Sequence, residues 1–170
     1  FIGQPIALIL AKTQRAAKLA KSKIVVEYDI KPIVTCPREA ASKGSIIGAV
    51  RTFKMGDMQQ AWTKSTYCYE GRADTNGQEH LYIEGQGAYA FPVENDCIRV
   101  VSSTQGPTQV QRGVARVLGL AMHKVEVEVR RLGGGFGGKE DQATPFAVLA
   151  SLGAYISKKP VKLVLHRDED

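Results

Sequence analysis

The sequence predicts an α+β fold, and three observations predict it. Short apolar or alternating runs recur along the chain, helix-period segments are inserted among them without strict alternation, and one strand–glycine loop–helix unit occupies residues 125–155. The remainder is arranged around that loop, Gly133-Gly134-Gly135-Phe136-Gly137-Gly138-Lys139-Glu140.

Taken in order, residues 5–10 are continuously apolar and predict a short buried strand. Thr13 caps a predicted helix to about Lys21, with Ala16, Ala17, Leu19 and Ala20 on its packing side. Residues 23–28 predict a second strand, with Ile24, Val26 and Tyr28 facing one way, and residues 37–42 a short helix stopped by Gly44. These four elements form a compact α/β unit whose partners are expected upstream of Phe1.

Residues 50–53 predict a weak strand. Asp57 caps a turn of helix through Trp62, a side chain expected to anchor a core, and residues 66–73 alternate as a strand. The turn signal Asn76-Gly77 precedes a strand over 81–91, broken at Gly85 and Gly87. Asp96 begins a turn into a strand at 98–102. Pro107 opens a helix to Leu118, with Val110, Val114, Val117 and Leu118 inward and Gly119 ending it. A strand at 125–131, the glycine loop, a helix over 141–155 and a strand at 161–165 complete the series.

The chain has 170 residues, is 44% hydrophobic and 24% charged, and carries a net charge of +6. This is ordinary for a globular protein. Its basic residues are scattered and not interleaved with aromatics, so no nucleic-acid surface is indicated. No apolar run reaches the roughly 18 residues of a membrane span. Cys36, Cys68 and Cys97 lie far apart without a CxxC pair, which favours reduced thiols in a cytoplasmic protein and excludes an iron–sulfur or structural zinc site in this segment. Phe1 in place of Met, and an end directly after a strand, predict a segment of a longer polypeptide.

The loop fits two patterns. Gly133-x-Gly135-x-x-Gly138, with a following strand that leads into Asp168, matches a dinucleotide fingerprint; Gly133-x-x-x-x-Gly138-Lys139 matches most of a Walker A loop. Glu140 stands where Walker A needs Ser or Thr, and the long stretch before the loop is atypical of a dinucleotide fold. Glycines let backbone approach a ligand, and the following helix start adds unpaired N–H groups, so the loop reads as a cradle for an anionic ligand. His80, His123 and His166 are too dispersed for a metal site. Glu79 and Glu84 are an odd interval apart on their strand and point to opposite faces, so they are no acid–base pair.

Gly77-Gln78-Glu79-His80-Leu81-Tyr82-Ile83-Glu84, then Ser103-Thr104-Gln105, then the glycine loop, in that order and at those gaps, closely resemble the molybdenum-binding subunit of the xanthine dehydrogenase/aldehyde oxidase family. The likeness covers essentially the whole chain, through Arg167-Asp168-Glu169-Asp170. It implies that residues 1–45 are the tail of an α/β hammerhead domain and residues 46–170 the first part of a molybdopterin-binding domain.

The resemblance also implies hydroxylation of an electron-poor carbon at a molybdenum–molybdopterin centre, with or without a cytosine nucleotide on the pterin. Electrons then leave through 2Fe-2S and FAD domains or subunits. Gln105 matches the family glutamine that donates an amide N–H₂ near the metal, and Gly135, Phe136 and Gly137 match its cofactor-facing loop. Neither Gln105 nor Phe136 is a direct side-chain ligand of the metal. Glu140 matches a glutamate that contacts a purine, which favours xanthine or hypoxanthine over an aldehyde.

Plainer roles stand beside these: Gln78 and Glu79 fixing a turn, Gln105 starting a helix, Lys139 balancing Glu140 or Asp141. The general base and most pterin contacts are expected further along, so the segment holds no catalytic residue of its own and is expected to be inactive alone. A full-length cytoplasmic oligomer without nucleic-acid or membrane partners is expected.

Overall fold

The computed structural model describes residues 3–170; the first two residues of the 1–45 segment lie outside it. The chain divides into two compact units: residues up to Ile24 together with Gln78–Asp170, and Val25–Gly77.

In the first unit, α1 (Gln14–Lys21) begins as expected, with the Thr13 hydroxyl accepting from the Ala16 N–H at 3.1 Å. A four-stranded sheet is built from β1 (Gly87–Val93), β2 (Cys97–Ser102), β3 (Val125–Glu128) and β4 (Val161–Val164), in the order β3-β2-β1-β4. β1 runs antiparallel to both β2 and β4, whereas β2 and β3 are parallel. Asn95 and Asp96, both at positive φ, turn the β1–β2 hairpin; short polar side chains tolerate that conformation best.

Helices α4 (Pro107–Leu118) and α5 (Ala143–Ser157) pack against the sheet. Ile98 and Val100 of β2, Val125 of β3 and Val110 and Val114 of α4 share one buried cluster, all essentially without solvent contact. Burying each such side chain stabilises by about 1.5–3 kcal/mol. The α5 face is Ala147, Ala150 and Ala154 against Ala88 and Ala90 of β1. Small residues on both sides let this helix sit close to the sheet, and a Cβ at Gly113 would lie 2.7 Å from Thr144 Cγ2, so α4 and α5 also touch closely.

Several expectations are corrected. Val117 is largely exposed and lies outside the packed face of α4. Residues 5–10 form no strand: an apolar run is only a candidate until a neighbouring edge takes its N–H and C=O groups. Leu10 instead lies against Gly153 of α5. The strand expected over 81–91 starts only at Gly87, because residues 82–86 give their backbone groups to other partners. Arg167 donates to the Tyr82 and Ile83 carbonyls at 2.7 and 2.6 Å, Glu84 N–H to Gly133 O at 3.1 Å, and Gln86 N–H to Asp170 Oδ2 at 3.1 Å.

The second unit contains α2 (Pro37–Ser42) and α3 (Met58–Lys64), the latter capped by Asp57, which accepts from Gln60 N–H at 2.9 Å. The strands expected at 23–28, 50–53 and 66–73 do not form; their alternation marks extended chain, and none of these stretches joins a ladder. Trp62 is not a core anchor either, being 54% exposed.

Candidate functional site around the glycine loop

Parallel neighbours leave a sheet at the same edge. β2 therefore delivers Ser103-Thr104-Gln105, and β3 the glycine loop, to one place. The two segments are tied together. Gln105 N–H donates to Lys139 O at 2.8 Å, and Gln105 Oε1 accepts from Gly137 N–H at 3.1 Å and Lys139 N–H at 3.2 Å. The Thr104 hydroxyl donates to the same Lys139 carbonyl at 3.1 Å. With its oxygen committed to two donors, Gln105 is left with an amide N–H₂ that has no partner among the described residues, on a side chain open to solvent.

Glycine is required where the segments touch. A Cβ at Gly135 would lie 2.5 Å from Gln105 Oε1, and one at Gly138 would lie 2.6 Å from Tyr82 Cε1. Gly138 N–H closes a turn onto Gly135 O at 2.7 Å. At its apex Phe136 has φ of 52° and a side chain 75% exposed. An aromatic residue in this region costs roughly 1–3 kcal/mol and persists where the surroundings enforce it.

Glu140 is exposed, and its carbonyl lies close to Gly106 at the start of α4. It is not part of the first turn of α5, which contains no acidic residue, so it does not complement that helix end.

Neither nucleotide pattern is realised. Lys139 is 0% exposed and turned inward, where no phosphate can reach it. β4, the strand after the loop's helix, pairs with β1 at the far side of the sheet, not with β3 as a dinucleotide βαβ unit requires, and Asp168 lies beside His166.

Sequence reasoning missed the groups beneath the loop. Lys139 Nζ donates to Ser103 Oγ at 2.9 Å and Glu84 Oε2 at 3.1 Å, not to Glu140 or Asp141. Glu84 Oε2 also accepts from Ser103 Oγ at 2.5 Å and Gly133 N–H at 2.7 Å. Burial pushes the Glu84 carboxyl up, but these donors outweigh it and hold it below its ordinary value. Glu79 faces elsewhere and accepts from His80 and Leu81 N–H, fixing the turn.

Below lies a second set. Tyr82 OH donates to Asp170 Oδ1 at 3.0 Å, and Gln86 Nε2 donates to Tyr82 OH and Gly138 O at 2.9 and 3.0 Å. Burial first, then the Asp170 contact, pushes the Tyr82 hydroxyl up, so it stays a donor. The available signal was the burial rule itself: a lysine inside a packed glycine turn needs an acidic partner, and Glu84 stands in the neighbouring motif.

No group of acidic, histidine or cysteine side chains among the described residues is arranged to hold a metal ion. A cofactor held through its organic part needs no such cluster, and the Gln105 amide offers it a neutral donor next to the backbone of the loop.

Residues 40–170 match the family model described as molybdopterin cofactor-binding domain. The chain is 38% identical over 170 residues to a xanthine dehydrogenase of Dictyostelium discoideum, covering 100% of this chain and 12% of that protein. It is 33% identical over 171 residues to aldehyde oxidase 2 of Cavia porcellus, covering 99% and 13%. Among solved structures, quinoline 2-oxidoreductase from Pseudomonas putida 86 superposes with a TM-score of 0.74 at 26% identity, over 94% of this chain and 21% of that one. The chain thus spans about an eighth of the curated relatives it matches.

Proposed function

Because the chain belongs to the molybdopterin cofactor-binding domain family, we propose that it forms part of a molybdenum hydroxylase acting on a purine-type N-heterocycle such as xanthine or hypoxanthine. Gln105, Gly135, Phe136 and Gly137 would hold the molybdenum–molybdopterin group, with the metal coordinated through the pterin and by no side chain of this chain. When bound, that group supplies two-electron oxidation and hydroxylation of an electron-poor carbon. Gln105 would donate its free N–H₂ to the group, and the backbone at Phe136–Gly137 would shape the wall next to it. Glu140 would accept from, or donate to, the edge of the heterocycle. The residues that move protons would come from outside this chain, as would the 2Fe-2S and FAD domains that drain electrons.

The observation that carries this reading is the double acceptance at Gln105 Oε1, which fixes which end of the amide faces outward. The purine preference is supported by the recurrence of xanthine dehydrogenases among the relatives. The aldehyde alternative is supported by the guinea-pig aldehyde oxidase. In this account residues 1–45 are the tail of a hammerhead domain and 46–170 the opening of the molybdopterin domain, in a cytoplasmic oligomeric enzyme. The segment alone would be inactive.

Metal and pterin analysis of the full-length protein tests the reading. Molybdenum with a bound pterin is expected, and a purified protein carrying nicotinamide nucleotide and no molybdenum would overturn it.

A further inference from the structure

Lys139 has no solvent contact, yet it lies in the turn that the site is built on. Every atom it presents to the chain is used. Its carbonyl receives the Thr104 hydroxyl and the Gln105 N–H, its own N–H reaches Gln105 Oε1, and its ammonium reaches Ser103 Oγ. Three consecutive residues thus wrap around one. The ammonium also sits 4.7 Å from the Tyr82 ring centroid, a favourable contact for a cation.

Glu84 holds the other end of the loop. Its backbone N–H and its carboxylate bracket Gly133, and the same carboxylate oxygen meets Lys139 Nζ and Ser103 Oγ. A single oxygen joins the first residue of the loop, its last turn residue and the start of the Gln105 segment.

We infer that Glu84 and Lys139 are positioning residues: their ion pair, closed by Ser103, sets the loop backbone and thereby the direction of the Gln105 amide. The inference rests on the proposed role of Gln105 for its functional meaning, but the geometry does not depend on a cofactor. Neutralising Glu84 leaves the Lys139 ammonium, which has no solvent contact, short of its anionic partner, so the loop must move to hydrate it; neutralising Lys139 removes the cation that ties the partly exposed Glu84 carboxylate to the last turn of the loop.

Hydrogen–deuterium exchange on the full-length protein tests this. Glu84→Gln and Lys139→Met should each speed exchange of amides 133–140 by at least about tenfold, while β1 and β2 keep their protection. The double variant should be no worse than the poorer single one, since the pair acts as a unit. Loop protection unchanged in both single variants would overturn the inference. So would an equal acceleration throughout the fold, which means only lost stability, or additive effects in the double variant. Molybdenum content, measured on the same samples, reports separately on the proposed function: a wild-type protein without molybdenum but with the expected exchange pattern would sink that reading and leave the positioning pair standing.

Discussion

Gly135 and Gln105 are in contact so close that no side chain fits between them: a Cβ on the glycine would lie 2.5 Å from the amide oxygen. Gln105 cannot retreat without giving up the N–H donors of Gly137 and Lys139. In the full-length enzyme Gly135→Ala should therefore displace the amide and lower kcat/KM by about 100-fold, near 2.7 kcal/mol. The melting temperature should fall by no more than about 4 °C, because the hydrophobic core under α4 and α5 is untouched. Steady-state kinetics and calorimetry check it; unchanged kinetics would show that the amide's position does not matter.

Glu84 gives a pH dependence. Its carboxyl is held below the ordinary value near 4.5, so the interaction stabilises the fold above that pH and is lost as pH falls through the folded value. Wild-type protein should melt higher than Glu84→Gln near neutral pH, and the gap should begin to narrow as pH falls below about 4.5. Thermal melts of both proteins across pH 3–7 measure it, and a gap that does not narrow toward the acid end contradicts the assignment.

What the sequence made legible follows a physical line. Caps and stop signals were readable because they act within a few residues: Thr13, Asp57 and Gly119 all do what local chemistry says. The meeting of Gln105 with the glycine loop was readable through motif order. Lys139 was not, because its partners Glu84 and Ser103 lie 55 and 36 residues away and only the parallel β2–β3 pairing brings that edge together. The runs at 5–10, 23–28, 50–53 and 66–73 carry strand-like patterns, but a pattern names a face and not a partner. Residues 82–86 show the reverse case. Their alternation is real, and Arg167 and Asp170 capture the backbone that a ladder would have used.

The proposed purine preference rests on Glu140. The side chain is exposed in this chain, so there is no buried carboxyl whose desolvation a purine must relieve. What remains of the proposal is recognition: a carboxyl at the end of the loop that would meet ring nitrogens or a carbonyl. In the full-length enzyme Glu140→Ala should lower kcat/KM for xanthine or hypoxanthine by about 10- to 100-fold, about 1.4–2.7 kcal/mol, and spare aldehyde oxidation. Equal loss on both substrates with a lowered melting temperature would make Glu140 structural and remove the purine assignment.

The central claim is that Gln105 and the Phe136 turn form one wall of a molybdenum–pterin site. Diffraction from crystals of the full-length protein at the molybdenum absorption edge locates the metal directly. The account predicts an anomalous peak within about 5 Å of Gln105 Nε2, the length of one hydrogen bond plus one metal–ligand bond, with the backbone of Phe136 and Gly137 beside it. A peak more than about 10 Å from Gln105, beyond the reach of any such contact, would contradict it.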